Sequence, residues 1–328
     1  MEAANSSTSE MPVFILMGIP GLEDAHIWIS IPLAAFYVTA LLANSTVLSV
    51  VAKEQCLHKP MYLMICMLAL SDIITSTSFM PKTLCIFWFN LKSITLNGCL
   101  TQLFFFQASS AVHSGVLVIM AVDRYVAICN PLRYTTILTN ARTAKLGLVC
   151  LVRAVLFILP MPLLLRWLPF CSNNIIAHTY CDNMAVAKVS CGDITGSRIY
   201  GLMLACIMIG FDLTVIALSY ALILRALLRL SSKKANQKAL STCTAHILVI
   251  LMAYPAGLFS SLAHRFGQGI TPYVHIISSN LHYIIPPMLN PIVYGVNTKE
   301  LREKVVAFLG RTFSAGVFDY KTAGRGKY

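Results

Sequence analysis

Long stretches without a single charged side chain dominate this 328-residue chain. None occurs between Asp24 and Lys53, between Lys92 and Asp123, between Lys238 and Arg265, or between Arg265 and Lys299. Each stretch exceeds the ~20 apolar residues that cross a bilayer as a helix. Three more apolar segments, 60–81, 143–165 and 199–224, are each interrupted near the middle by one charge: Asp72, Arg153 and Asp212. A helix satisfies its own backbone in lipid, so the pattern predicts an all-α membrane protein with seven spans. They are placed near 26–51, 59–84, 96–124, 142–165, 198–229, 237–263 and 271–294. The composition agrees: 12% of residues are charged, against about 25% in soluble domains. A soluble enzyme, a disordered chain and a disulfide-stapled miniprotein are excluded.

The formal charge of +12 would point to nucleic acid on a soluble protein, but in a membrane protein the position of each charge decides its meaning. Eighteen basic residues fall in the segments after spans one, three, five and seven, and six fall on the other side. The amino terminus is therefore expected outside and the carboxyl terminus inside. With no basic n-region ahead of it, the first span is expected to act as the insertion signal. Three parts follow: an extracellular segment 1–25, a bundle 26–295, and a cytoplasmic segment 296–328, a helix and then a disordered tail beyond Gly310. Asn5-Ser6-Ser7 is a glycosylation sequon on the outer side. No internal repeat of the transporter kind is present.

Four of the 11 cysteines lie on the outer, oxidising side: Cys99, Cys171, Cys181 and Cys191. They form two disulfides in any of three pairings. The other seven read as small apolar filler. His264, His275 and His282 lack metal-ligand spacing and read as solvated or internally satisfied. No phosphate loop or nucleophile constellation appears, and no metal, cofactor or nucleic acid is expected.

Asp123-Arg124-Tyr125 ends span three, and Asn290-Pro291-Ile292-Val293-Tyr294 ends span seven. Both resemble the switch motifs of rhodopsin-like G-protein-coupled receptors. Around them, Pro60-Met61-Tyr62, Leu70-Ser71-Asp72, the run Met120–Cys129, Pro131-Leu132-Arg133-Tyr134, Ser219-Tyr220 and the run Lys238–His246 are similar to olfactory receptor signatures. His264-Arg265-Phe266-Gly267, Pro286-Pro287-Met288-Leu289-Asn290-Pro291 and Asp212 resemble the class I, fish-like branch. This resemblance covers roughly residues 14–310. It implies a rhodopsin-like fold, disulfides Cys99–Cys181 and Cys171–Cys191, and a heterotrimeric, stimulatory olfactory-type G protein that raises cAMP. Asp123, Arg124, Tyr125, Tyr220, Asn290, Pro291 and Tyr294 are the implied switch and coupling residues. Arg124 is held by Asp123 at rest and freed when span six swings about a kink at Pro255. His113 stands where the family usually carries an acid.

A pocket in such a bundle opens outward between spans three, five and six. Leu103, Phe106, Gln107, Ser110 and Ser114 share one helical face, and Tyr254, Gly257, Leu258, Ser261 and Arg265 share another. Arg265 can hold a carboxylate through two charge-assisted hydrogen bonds, or can snorkel to headgroups and water. Class I resemblance favours the ligand role. The expected ligand is a short- or medium-chain carboxylic acid, a volatile odorant, with its tail along Phe106, Ser110 and Leu258. The alternative is a neutral aldehyde, ketone or alcohol, and a transporter is the remote reading. Charges inside the bilayer cost about 2.5–3.5 kcal/mol each and need partners. Asp72 is expected near His113, and Arg153 near Asp212.

Overall fold

The computed structural model describes residues 12–171, 174–229, 243–255 and 271–323. Its long helices are α1 (His26–Lys53), α2 (Pro60–Phe89) and α3 (Leu96–Cys129). After the four-residue α4 (Tyr134–Ile137) come α5 (Asn140–Ile158) and α6 (Pro160–Arg166), then the short α7 (Asn183–Ala187). The chain continues with α8 (Thr195–Arg229), α9 (Cys243–Pro255), α10 (Pro272–Asn297) and α11 (Lys299–Ala323). Of the described helices, α1, α2, α3, α5 with α6, and α8 are long and apolar enough to cross a membrane. The 26-residue α10 carries no Asp, Glu, Lys or Arg, but its histidines, serines and asparagines lower its hydropathy.

Local chemistry explains the boundaries. Thr95 caps α3 by accepting from Gly98 N at 3.2 Å, and Thr139 caps α5 from Arg142 N at 3.3 Å. The left-handed Asn90 (φ 56°) closes α2 five residues beyond the expected end. Lys82, within the expected span 59–84, lies inside α2. Its Nζ reaches the carbonyls of Leu91 and Ser93, at 2.7 Å each, so the charge leaves the apolar layer while the helix continues. The expected fourth span is two helices, because Pro160 cannot continue the α5 hydrogen-bond ladder and starts α6 instead. Helical backbone runs past Gly310 to Ala323, where the sequence pointed to disorder. One glycine costs a helix only about 1 kcal/mol, and no proline follows it.

Three prolines lie inside α10. Pro291 has no N–H for the carbonyl of Pro287, one turn back. Asn44 of α1 fills that role, donating Nδ2 to Pro287 O at 2.8 Å. A buried asparagine in an apolar span thus ties α1 to α10.

The described residues before α1 include a short strand. Strand β1 (Val13–Leu16) lies between β2 (Ser93–Thr95), antiparallel to it, and β3 (Ile175–Ile176), parallel to it. Phe14 and Leu16 are fully buried beneath this sheet. Disulfides Cys99–Cys181 and Cys171–Cys191, with Cα atoms 5.5 and 5.9 Å apart, hold the same end of the bundle. The amino-terminal strand therefore shares the oxidising side, and the basic loops lie at the opposite end.

Candidate functional site

Below the disulfide-bonded end, a cavity of about 270 Å³ enters the bundle. Its α3 wall presents Gln107, Ser110, His113, Ser114 and Leu117, a rise of about 15 Å from first to last. Leu204, Met208 and Ile209 of α8 and Ile158 and Met161 from α5–α6 make the wall chiefly apolar. Tyr254 of α9 and His282 and Tyr283 of α10 contribute the remaining aromatic surface. Asp182, Asn183 and Met184 form part of the mouth. Asp182 is the N-cap of α7, accepting from Met184 N at 3.0 Å, so its carboxylate is tied to the backbone.

Gln107, Ser110, Ser114 and Tyr254 thus lie on the cavity as their spacing implied. Phe106 does not. It is fully buried behind the wall, with its ring 4.3 Å from that of Tyr283 and 5.2 Å from that of Tyr180. Adjacent helical residues point about 100° apart, and Gln107 takes the cavity side. Leu103 is also buried in the packed core. Gly257, Leu258, Ser261 and Arg265 lie outside the described residues, as does Asn5.

Sequence reasoning missed Asp182 and Asn183, which are carried by a loop that periodicity cannot orient. It also missed Thr75, and it did not place His282 on the cavity. Nδ1 of His282 is buried and has no hydrogen-bond partner among the described residues. Its spacing from Asn290 on α10 was the available signal, since residues eight apart return to one face.

Two polar networks lie beneath the mouth. Arg153 Nη1 and Nη2 donate to Asp212 Oδ1 and Oδ2 at 2.6 and 2.8 Å, a bidentate pair between α5 and α8. Ser114 Oγ donates to Asp212 Oδ2 at 2.5 Å. A hydroxyl has one hydrogen, so at the 2.8 Å contact Tyr254 donates to Ser114. Helices α3, α5, α8 and α9 meet at this chain. In the second network Asn290 Nδ2 donates to Asp72 Oδ2 at 2.9 Å and lies 3.0 Å from His113 Nε2. Its two hydrogens can serve both, which assigns Nε2 as acceptor and places the imidazole proton on Nδ1. His113 Nε2 is 3.5 Å from Asp72 Oδ1.

At the inner end Arg124 pairs with Asp123, and both are buried. Tyr134 Oη donates to Asp123 Oδ1 at 2.8 Å. Burial and the Asp123 carboxylate push the Tyr134 phenol above its ordinary range, so it stays a donor. Tyr220 Oη meets His246 Nδ1 at 2.7 Å, and Tyr125 packs beside Tyr220, Ile223 and Cys243. Tyr294 Oη lies 3.8 Å from Met120 Sδ. Pro291 sits one residue beyond Asn290 in α10.

A helical bundle with an outward cavity at its disulfide-bonded end and a closed Asp–Arg pair at its basic end is the arrangement of a rhodopsin-like G-protein-coupled receptor. The family model for olfactory receptors matches residues 33–312. Olfactory receptor 52N2 of Homo sapiens is 49% identical over 310 residues, covering 94% of this chain and 97% of the relative. Human olfactory receptor 52N5 is 51% identical over 307 residues (93% and 95%), and human olfactory receptor 52P1 48% over 316 (96% and 97%). The chain belongs to the olfactory receptor family. It is a seven-helix, multi-pass plasma-membrane receptor that senses odorants and couples to a G protein, and it is not an enzyme. Likeness to subfamily 52 is consistent with the class I branch. That membership replaces the transporter reading.

Proposed function

We propose that this receptor detects short- or medium-chain carboxylic acids and raises cAMP through a stimulatory, olfactory-type G protein. The observation that carries the reading is the cavity itself. It is small and chiefly apolar, and it is interrupted by the hydrogen-bonding groups of Gln107, Ser110 and Asn183. Such a wall suits a single alkyl chain with one polar head. The countercharge is assigned to Arg265, which follows Tyr254 by eleven positions in the chain. A guanidinium forms the two parallel bonds that a carboxylate accepts.

On the inner side, Asp123 and Tyr134 hold Arg124 in the resting arrangement. Tyr254 joins the cavity wall to Ser114 and Asp212, so a ligand that displaces Tyr254 shifts α9 against α3 and α8. Release of Arg124, with movement of Tyr125, Tyr220, Asn290, Pro291 and Tyr294, then opens the cytoplasmic end to the G protein.

Replacing Arg265 by Ala should abolish responses to an acid series in a cAMP assay while surface staining stays normal. An unchanged dose-response curve overturns the acid reading. A neutral odorant is the second reading. Its support is that Asp72 and Asp182 are the only formally charged side chains among the described lining residues. Undiminished aldehyde and alcohol responses in the Arg265→Ala receptor would favour it.

A further inference from the structure

Helix α5 buries one face, with Thr143, Cys150, Ala154 and Ile158, against the bundle. On the opposite face Leu148, Val149, Val152 and Leu156 are exposed. At 100° per residue all four lie within about 60° of Lys145, and so does Arg142. Both cations are exposed at the cytoplasmic start of this apolar stripe, where it meets the lipid. No Asp or Glu occurs between Asp123 and Asp182, and neither cation has an ion-pair partner among the described residues. Arg142 is nevertheless held in place. Its Nη1 donates to the carbonyls of Thr136 and Ile137 at 2.7 and 2.9 Å, which uses both Nη1 hydrogens. The N–H groups of Nε and Nη2 have no acceptor among the described residues. Together they form the open edge of the guanidinium, a fork of two parallel donors that suits a phosphate. A charge that merely orients the chain in the bilayer needs no such fixed geometry.

We infer that the inner end of α5 is a binding site for an anionic phospholipid of the cytoplasmic leaflet. The phosphodiester sits on the Nε–Nη2 edge of Arg142, with the Lys145 ammonium as the second countercharge. An acyl chain lies along Leu148, Val149, Val152 and Leu156. Leu148 to Leu156 rises about 12 Å, close to the half-thickness of a hydrocarbon core of about 30 Å. The stripe therefore matches the acyl layer of one leaflet, and a headgroup without its chains leaves it unused. Two cations with no acid beside them favour a net negative headgroup. A choline headgroup brings its own cation, which the pair repels. The cytoplasmic leaflet is the one that carries anionic lipids.

The test titrates full-length receptor in an uncharged detergent with dioleoyl phosphatidylinositol, dioleoyl phosphatidylcholine or glycerophosphoinositol, and counts bound molecules by native mass spectrometry. Wild type should bind one phosphatidylinositol more tightly than either of the other two probes. Arg142→Gln with Lys145→Gln should weaken that first binding about thirtyfold, and Lys145→Gln alone about fivefold, at about 1 kcal/mol per cation. Arg142→Lys keeps the charge but loses the fork, and should weaken binding about threefold or more. Replacing Arg225 and Arg229 by Gln removes two exposed cations from the inner end of α8 instead. That control should leave the first affinity within about twofold. Melting temperature without added lipid reads folding for each variant. If Arg142→Gln lowers it, Lys145→Gln and Arg142→Lys decide. Equal binding of phosphatidylcholine overturns the anionic preference, and equal binding of glycerophosphoinositol overturns the acyl stripe. Undiminished affinity in the folded α5 variants, or an equal loss in the α8 control, overturns the site.

Discussion

Asp212 is fully buried and accepts three hydrogen bonds, two from Arg153 and one from Ser114. Removing the carboxylate by Asp212→Leu strands the Arg153 guanidinium in the bundle, and Arg153→Met strands the Asp212 carboxylate. Either single loss should cost about 3–5 kcal/mol, the usual penalty for breaking a buried pair from one side. A lone charge at this depth also costs about 2.5–3.5 kcal/mol to insert, which acts in the same direction. The double replacement removes both charges and leaves apolar side chains, an exchange that is often close to neutral. Its loss should therefore be smaller than either single loss, giving a coupling of at least about 3 kcal/mol. The assay is melting temperature of purified receptor in nanodiscs, with cell-surface fraction by flow cytometry. Losses that add to within about 0.5 kcal/mol would show that the two side chains act independently and refute the reasoning.

Asp123→Asn removes both the charge that holds Arg124 and full acceptance of the Tyr134 hydrogen bond, so ligand-free cAMP should rise several-fold. Unchanged basal signal at equal surface density would refute a restraining role. On the cytoplasmic side, Glu54 and Glu300 are held below the ordinary glutamate value of 4.5, chiefly by hydrogen bonds from Lys304 and Lys59. Depressed carboxylates contribute fully above 4.5, and the contribution is lost as pH falls through their lowered values. Hydrogen-exchange protection over residues 299–305, corrected for the intrinsic pH dependence of exchange, should fall on acidification below that point, and unchanged protection there would refute these docking pairs.

Much of the candidate site was legible as a pattern of faces, but helical spacing has a resolution of one residue. Phe106 and Gln107 are neighbours, and both fitted the expected pocket face. Packing against Tyr180 and Tyr283 decided that Phe106 is core and Gln107 is wall. Arg153 and Asp212 were expected as partners because charges in lipid need them, and the bidentate contact follows from α5 and α8 lying at matching depth. Nothing local to Val13–Leu16 announced a strand, because its partners are Ser93–Thr95 and Ile175–Ile176, far away in the chain.

Spans, sidedness and the motifs at the two ends of the bundle were determined by residue order alone. Bilayer thickness, backbone satisfaction and the bias of Lys and Arg act on contiguous residues, so a linear reading suffices for them. The amino-terminal strand under the outer loops, the place of His282 on the cavity wall, and Asn44 serving the carbonyl that Pro291 leaves open were decided by tertiary structure. Each depends on which helix faces meet across hundreds of residues of chain. Helix rotation about its own axis sets that meeting, and packing against all the neighbours fixes the rotation.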